Sequence, residues 1–364
     1  MRWLWPLLAV ALACALTTAP AQAQTPDFRG VNPSSPNPLA GQRFFVDRRQ
    51  PSWRQYRYYK RKHRRWAAGI MWRLARQPKF RWFGRWTNGV RGEVRKYIRR
   101  ARRRGAVPLI AVLRHQGKGC GNYSGGGPRE DARTRRWYRR LARGVGYSRA
   151  VIAFEPDSLG TVDCLRRSRR RARLRLLAYG VDVLSKNPNA TIYLEAGASD
   201  WEPARRTARL LRIIGIRKVR GFMLNVTHYD WTANNIRYGL KVSAMTGGKP
   251  FVISTAYNGR GPVHYRRYSG PHRWRRINVW CNPLKRGLGP PPTTATAHRK
   301  VDAYLWIGRP GYSAGSCNGG PLPVGSWWPK RALMFSAYAT NWLRPPAGTR
   351  FGHYKRYTLR RLGA

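Results

Sequence analysis

Two carboxylates separated by a proline follow an apolar run near the middle of the chain. Residues 151–154 are apolar and predict a buried strand, and Glu155-Pro156-Asp157 follows directly. Proline restricts the backbone of this turn, so the Asp157 carboxyl group is held at the strand end. A carboxyl group held there can protonate a leaving oxygen, as glycoside cleavage requires. The alternative is a helix N-cap, because Asp-Ser before Leu159 is good capping chemistry.

Tryptophans near other strand ends could bind sugar, because the apolar faces of sugar rings stack on aromatic side chains. Trp201 lies beyond a candidate strand, Trp231 follows Asp230, and Trp280 precedes Cys281. The alternative for each is ordinary packing in the core. Three tryptophans in predicted loops together favour a sugar-binding cleft.

Other carboxylates are few, since the chain has 14 Asp and Glu against 72 Lys and Arg. A second catalytic carboxylate, needed to activate water, must therefore come from a short set of candidates. Those near predicted strand ends or in their loops are Asp163, Glu195, Asp200 and Asp230. No carboxylate side chain follows Asp302.

The net charge of +58 allows two interpretations. One is an anionic partner such as nucleic acid, and the other is a solvated basic surface. The arginines are spread along the chain, notably over 91–104, 133–143 and 165–176, and form no single stripe with interleaved aromatics. This distribution favours the solvated surface and predicts no specific nucleic-acid site, although polyanions should bind at low salt.

Short apolar runs alternate with amphipathic segments along most of the chain. The candidate strands are 43–47, 109–113, 151–154, 191–194, 222–226, 251–255 and 303–307, and the clearest helical segments are 133–144, 171–185 and 203–214. Ala208, Leu211 and Ile214 share one helical face. This alternation predicts an α/β fold, a parallel (β/α) barrel of about seven strands. In such barrels the chemistry lies in the loops after the strands.

The first 23 residues have the pattern of a secretory signal peptide. Arg2 precedes an apolar run over 3–16, and Ala21-Gln22-Ala23 is a small-residue cleavage site. Cys14 would suggest a lipoprotein site, but Ala11-Leu12-Ala13 matches one poorly. The run over 3–16 is too short to span a membrane, and no second apolar run of spanning length exists. We therefore expect a secreted protein with one domain over 24–364.

The cysteines favour disulfides over metal binding. Of five cysteines, removal of Cys14 with the leader leaves four: Cys120, Cys164, Cys281 and Cys317. An even number in an exported protein predicts two disulfides, and spacing alone allows three pairings. No Cys-x-x-Cys or His-Glu-x-x-His pattern, phosphate-binding loop or nucleophile elbow occurs. The sequence predicts neither a metal nor a cofactor.

Seven blocks, in order across the mature chain, resemble the glycoside hydrolases of family 6, which are cellulase-type enzymes. They lie at 37–47, 151–159, 193–201, 221–229, 251–259, 280–283 and 303–306. The second block contains Glu155-Pro156-Asp157-Ser158-Leu159 and resembles the loop that carries the catalytic acid in the family. The third block resembles the family motif Asp-Ala-Gly-His-x-x-Trp.

The resemblance implies a distorted barrel, the disulfides Cys120–Cys164 and Cys281–Cys317, and inverting hydrolysis of β-1,4-glucan. Asp157 takes the position of the proton donor. The positions that bind glucan are Phe45, Ser124, Trp201, Asn225 and Trp280, with Phe45 in place of a stacking aromatic.

The departures from the family pattern concern the active site. Gly119 stands where the family usually has an Asp, and Ala198 replaces the His of the third block. In the run after the last strand, Gly308 and Tyr312 replace a substrate-binding Lys and Glu, and Ala314 replaces the proposed base. Tyr257 replaces the Arg of a further block. The usual partners of Asp157 at 119 and 314 are therefore absent.

The sequence predicts a secreted, monomeric glycoside hydrolase that cleaves β-1,4-glucosidic bonds in cellulose-like polysaccharide, with Asp157 as general acid. The alternative is a weak or inactive polysaccharide-binding protein on the same fold, because the base is missing. A third hypothesis, a binder of anionic polymers, depends on the net charge of +58.

Overall fold

The computed structural model of the protein describes residues 36–115, 126–268 and 274–339. Within these ranges, helices and strands mostly alternate. The helices are α1 Pro51–Arg61, α2 Arg65–Ala75, α3 Val90–Arg102, α4 Pro128–Val145, α5 Arg167–Leu184, α6 Ala204–Ile213, α7 Thr232–Ala244 and α8 Pro329–Ala337. The strands are β1 Arg81–Gly84, β2 Leu109–Leu113, β3 Ala150–Phe154, β4 Ala190–Glu195, β5 Gly221–Leu224, β6 Phe251–Ser254, β7 His264–Tyr268, β8 Trp274–Asn278 and β9 Val301–Leu305.

Seven strands form one parallel sheet in the order β1-β2-β3-β4-β5-β6-β9. The two edge strands meet, because the Phe80 N–H donates to Trp306 O at 3.2 Å and Trp82 Nε1 donates to Ile307 O at 2.8 Å. The sheet is thus curled into a nearly closed barrel. This confirms the predicted distorted parallel barrel of seven strands.

Both faces of the sheet are buried, as expected for parallel strands covered by helices. Alternate residues of each strand point inward, and Ala111, Ala153 and Ala303 lie in the barrel interior. The intervening residues, such as Phe154 and Phe222, pack outward against the helices. The predicted face of α6 is confirmed, because Ala208, Leu211 and Ile214 are all buried.

A buried ionic network lies at the N-terminal ends of the strands. Asp302 of β9 accepts a hydrogen bond from the Tyr193 hydroxyl at 2.6 Å and two from the Arg220 guanidinium, both at 2.9 Å. Burial raises the pKa of Tyr193 well above its usual value, and the negative charge of Asp302 is the second largest cause. In such barrels the N-terminal ends of the strands contribute to stability, whereas the catalytic residues lie at the C-terminal ends.

One predicted strand is wrong, and three observed strands were not predicted. Residues 43–47 form no strand, and only Phe44 makes an isolated bridge, to Val107. The first strand is Arg81–Gly84, which was not predicted because it is short and begins with a charged residue. The antiparallel hairpin of β7 and β8 was also missed.

Candidate active site

Asp157 lies in a tight turn at the C-terminal end of β3. Its φ is 67°, and that of Glu155 is 57°, both in the left-handed region that non-glycine residues seldom adopt. Asp157 Oδ1 accepts a hydrogen bond from Thr227 Oγ1 at 2.5 Å. In the part of the chain that the structure describes, no backbone N–H bonds this carboxylate and no Lys or Arg forms an ion pair with it. The side chain is therefore not used as a helix cap.

Glu155 has a structural role. Its carboxylate is fully buried and accepts hydrogen bonds from the backbone N–H groups of Arg114, at 2.8 Å, and His115, at 3.0 Å. The Tyr138 hydroxyl donates to it at 2.7 Å. Burial, followed by the charge of Glu155, raises the pKa of Tyr138 well above its usual value. Glu155 thus ties the end of β2 to the turn that carries Asp157.

Glu195, the last residue of β4, is the buried neighbour of Asp157. Its carboxylate accepts hydrogen bonds from the backbone N–H groups of Asp157 and Gly197. Burial, followed by the charge of Asp157, raises the pKa of Glu195 well above its usual value. Because both of its oxygens accept these bonds, Glu195 holds the backbone of Asp157 in place.

Three other carboxylates were candidates for the second catalytic group. Asp163 is half exposed and forms ion pairs with Arg170 and Arg206. Asp230 is buried and accepts hydrogen bonds from Ser199 Oγ at 2.5 Å and from the Trp231 N–H at 2.8 Å. These contacts give both carboxylates structural partners.

Asp200 belongs to a group next to the site. Its Oδ1 lies 2.8 Å from Nδ1 of His228, whose ring stacks on Trp201 with centroids 4.7 Å apart and an interplanar angle of 15°. His228 follows Thr227, the partner of Asp157. A Cβ on Gly160 would lie 2.3 Å from the Trp201 ring, so this close packing requires glycine at 160. Trp201 is thus held in position beside the turn of Asp157.

The other predicted glucan-binding residues have different surroundings. Trp280 is 54% exposed. Asn225 is buried, and its Nδ2 donates to Asp230 O and Ser254 O, both at 3.1 Å. Its backbone N–H donates to Gly197 O at 2.7 Å, which places it on the same strand ends as Glu195.

Phe45 does not belong to this group. Phe45 is only 5% exposed, and its ring contacts Tyr97, with centroids 5.5 Å apart. A ring packed in the core in this way offers no free face to a sugar. Ser124, Gly119 and Cys120 lie outside the described residues, so the Cys120–Cys164 pairing stays a prediction.

The loop after β9 is anchored firmly although it carries no carboxylate. Cys281 and Cys317 form a disulfide bond, as predicted. Asn282 is buried, and its amide accepts a hydrogen bond from the Ala314 N–H at 2.9 Å and donates to Gly315 O at 2.7 Å. The Ala314 methyl group is exposed. The backbone around position 314 is therefore fixed, but it presents a methyl group.

Gly308 and Tyr257, two of the departures from the family pattern, depend on one another for space. A Cβ on Gly308 would lie 2.6 Å from the Tyr257 ring and 2.8 Å from Val226 O. The Tyr257 hydroxyl also accepts a hydrogen bond from the Arg309 N–H at 2.5 Å. Tyr257 thus fills the space that a longer side chain at 308 would need.

Thr227, whose side chain contacts Asp157, was not among the predicted site residues. Its signal was its position just beyond the predicted strand 222–226, on the edge where the predicted site lies. Within the described ranges, no cluster of three or more His, Cys, Asp or Glu could hold a metal ion. No described helix is both long and apolar enough to cross a membrane.

A parallel barrel with a carboxyl group fixed over its C-terminal mouth is typical of enzymes that cleave glycosides. The sequence profile described as "Glycosyl hydrolases family 6" matches residues 39–354. The chain therefore belongs to glycosyl hydrolase family 6. This confirms the resemblance that the seven sequence blocks indicated.

Similar proteins include endoglucanases of bacteria. Endoglucanase A of Cellulomonas fimi is 33% identical over 311 residues, which cover 84% of this chain and 62% of that protein. Endoglucanase 1 of Streptomyces halstedii is 32% identical over 261 residues, 70% of this chain and 76% of that protein. The endoglucanase Cel6 of Mycobacterium tuberculosis, solved in complex with methyl-cellobiosyl-4-deoxy-4-thio-β-D-cellobioside, has 35% identity and a TM-score of 0.74. That match covers 83% of this chain and 99% of the solved one.

Proposed function

We propose that the protein hydrolyses β-1,4-glucosidic bonds in cellulose-like polysaccharide, with inversion and with Asp157 as general acid. The observation that carries this proposal is the placement of Asp157. Its side chain is held by Thr227 and its backbone by Glu195, at the end of the barrel where chemistry occurs. The similarity to bacterial endoglucanases supports a β-1,4-glucan as substrate.

In this mechanism, Asp157 donates its proton to the glycosidic oxygen while the bond from that oxygen to C1 breaks. A water molecule attacks C1 from the opposite face of the sugar and gives its proton to bulk water, so the configuration at C1 inverts. Position 314, where the family carries the proposed base, has only a methyl group. Loss of general-base assistance costs ~10²–10⁴-fold in rate, so we expect slow turnover.

Substrate binding is assigned by position in the family. Trp201 and Trp280 would stack on glucosyl rings, and Asn225 would shape the cleft floor. Phe45 and Ser124 keep the same assignment, although the burial of Phe45 favours an indirect role. We further propose export through the 1–23 leader, a single domain over 24–364, a Cys120–Cys164 disulfide and a monomeric state.

The experiment compares wild type with Asp157→Asn on cellopentaose and soluble carboxymethyl cellulose. Asp163→Asn is a matched control, because Asp163 lies six residues further along and faces Arg170 and Arg206. We expect Asp157→Asn to lose activity and Asp163→Asn to keep it. NMR of fresh product should show the α-anomer first. Equal rates for wild type and Asp157→Asn would disprove the role of Asp157.

The second candidate function is polysaccharide binding without turnover, and the absence of a carboxylate at Ala314 favours it. Calorimetry with cellopentaose, accompanied by product analysis over days, separates the two functions. Binding without any product above the level of the Asp157→Asn variant would support the binding protein. Slow release of reducing ends by wild type alone would exclude it.

A further inference from the structure

A cavity of about 510 Å³ lies between the start of α1, strand β1, helix α3 and the loop after β9. Its volume is within the ~300–1,000 Å³ typical of ligand pockets. Phe80, Trp82, Tyr312 and Trp327 contribute aromatic surface to its wall. The cavity therefore has the size and the lining of a sugar-binding site, beside the seam where β1 and β9 meet.

Positive charge in this cavity exceeds negative charge. Seven Lys or Arg side chains line it, against two carboxylates, Asp47 and Glu93. Both carboxylates already have partners: Arg100 lies 3.1 Å from Asp47, Lys96 lies 3.2 Å from Glu93, and Arg81 contacts both. The excess charge is therefore carried by cations without a carboxylate partner.

Lys79 contributes little to this excess. Its Nζ donates to three backbone carbonyl groups, of Leu74, Ala75 and Gln77, at 2.6 to 3.3 Å. Burial lowers the pKa of Lys79 to about 7, against the opposing effect of Asp47. Arg49, Arg54 and Arg309 remain, and no described carboxylate lies within ion-pair distance of any of the three.

Arg309 is the central cation of the cavity. Its guanidinium carbon lies 4.8 Å from the Trp82 ring centroid, 5.0 Å from that of Tyr312 and 6.0 Å from that of Trp86. In the described part of the chain its guanidinium N–H groups make no hydrogen bond, and burial lowers the pKa of Arg309. The aromatic rings hold the planar donor fork in place, and such a fork matches a carboxylate.

The cavity is close to the proposed catalytic turn. Gly308 lines it, and a Cβ there would lie 2.8 Å from Val226 O. Thr227, the next residue, donates to Asp157. The backbone at Gly308 therefore belongs to the wall of the cavity and also packs against the strand end that positions Asp157.

We propose that this cavity binds an acidic sugar unit of the polysaccharide substrate, one that carries a carboxylate, with Arg309 as its direct partner and Arg54 at the rim. The inference rests on the proposed function, since it refines the substrate of the same site. Family positions 308 and 312 carry Gly and Tyr here instead of Lys and Glu. These changes remove a carboxylate from the lining and bring Tyr312 against Arg309.

The experiment measures binding by calorimetry, using a β-1,4-linked glucuronate pentasaccharide and cellopentaose with Asp157→Asn protein to prevent turnover. We expect the acidic oligosaccharide to bind at least about tenfold more tightly than cellopentaose at low salt. Arg309→Gln on the same background should remove this preference, because it weakens binding of the acidic ligand much more than binding of cellopentaose. Arg209→Gln, an exposed cation on α6, is the charge-matched control and should change neither.

Arg309→Gln could fail to fold because the side chain is packed between rings, so its thermal unfolding is measured first. Arg54→Gln, an exposed rim residue, serves as a second variant and should weaken binding of the acidic ligand alone by about twofold to fivefold. Equal affinity of wild type for the two oligosaccharides would overturn the inference. Equal loss for both in Arg309→Gln, or inorganic phosphate displacing the acidic ligand at equimolar concentration, would also overturn it.

These outcomes are separable from those of the proposed function. Absence of hydrolysis by wild type on both glycans, with a retained preference for the acidic one, would refute the enzyme and leave the cavity assignment standing. Hydrolysis of neutral glucan without any preference for the acidic glycan would support the enzyme and refute the cavity assignment.

Discussion

The carboxylate of Glu195 accepts a hydrogen bond from the backbone N–H of Asp157. This contact joins the end of β4 to the turn after β3, and it fixes a residue whose φ of 67° is otherwise unfavourable. The arrangement places two carboxyl groups side by side in a mostly buried setting. Burial and the negative charge of Asp157 both raise the pKa of Glu195.

The raised pKa of Glu195 predicts a pH-dependent stability. The unfolded chain ionises this group near the ordinary value of 4.5, whereas the folded protein does so at higher pH. Its contribution is fully present below pH 4.5 and is lost as the pH rises through the folded pKa. We expect the unfolding free energy of wild type, relative to Glu195→Gln, to fall by up to about 1.4 kcal/mol per pH unit. Urea denaturation of both proteins from pH 4 to 8 measures this difference in unfolding free energy. A difference that stays constant or rises with pH would contradict the prediction.

The Thr227 hydroxyl should position the catalytic acid. Thr227→Val keeps the shape of the side chain but removes the hydroxyl that orients Asp157, a hydrogen bond worth about 0.5–1.5 kcal/mol. We expect kcat on cellopentaose to fall about twofold to tenfold, with little change in KM. Thr191→Val, near the opposite end of β4, is the control and should leave kcat unaltered. A change confined to KM would point to a binding role instead.

Ala314 offers a gain-of-function test. The loop backbone is fixed by Asn282 and the Cys281–Cys317 disulfide, and the methyl group is exposed, so a carboxylate fits there without a clash. We expect Ala314→Asp to raise kcat by about 10²–10⁴-fold through general-base assistance. Ala314→Asn is the matched variant of equal size without a base. Equal rates for the two variants would show that position 314 does not activate water in this protein.

The network of Asp302, Tyr193 and Arg220 should contribute strongly to the stability of the barrel at the N-terminal ends of its strands. Asp302→Asn leaves the Arg220 guanidinium partly buried without its charge partner, which costs about 3–5 kcal/mol. Asp182→Asn removes a half-exposed ion pair with Lys218 and should cost at most about 1 kcal/mol. Chemical denaturation of the two variants gives both values. A smaller loss for Asp302→Asn than for Asp182→Asn would refute the assignment.

The core strands could be predicted because each is a continuous apolar run buried on two faces. Leu109–Leu113 was predicted with its observed limits, and the segment 203–214 differs from α6 by one residue at each end. Strand β1 escaped prediction because its four residues, Arg81 to Gly84, are held by edge contacts that a local pattern does not contain. Residues 43–47 contain the apolar run Phe44-Phe45-Val46, but only Phe44 meets a strand partner.

The position of Asp157 at a strand end was predictable, whereas its neighbours were not. The parallel register that pairs Phe154 with Leu194 brings Glu195 next to the Asp157 turn. A sequence alone does not contain this register, and Glu195 appeared only as one of four candidate bases. The burial of Phe45 could not be predicted either, because a phenylalanine in a predicted strand can face either the cleft or, as here, a core residue such as Tyr97.

The close fit of Tyr257 against Gly308 makes the order of substitutions matter. A side chain introduced at 308 meets the Tyr257 ring first and the Val226 carbonyl second, so it is penalised while Tyr257 remains. Replacing Tyr257 beforehand removes the closest contact, at the cost of packing against Tyr229 and Phe335, and leaves the Val226 carbonyl at 2.8 Å to shift. An evolving or engineered lineage therefore cannot restore a lysine at 308 in one neutral step. Its route back to the family pattern passes through residue 257 and a temporarily loosened loop.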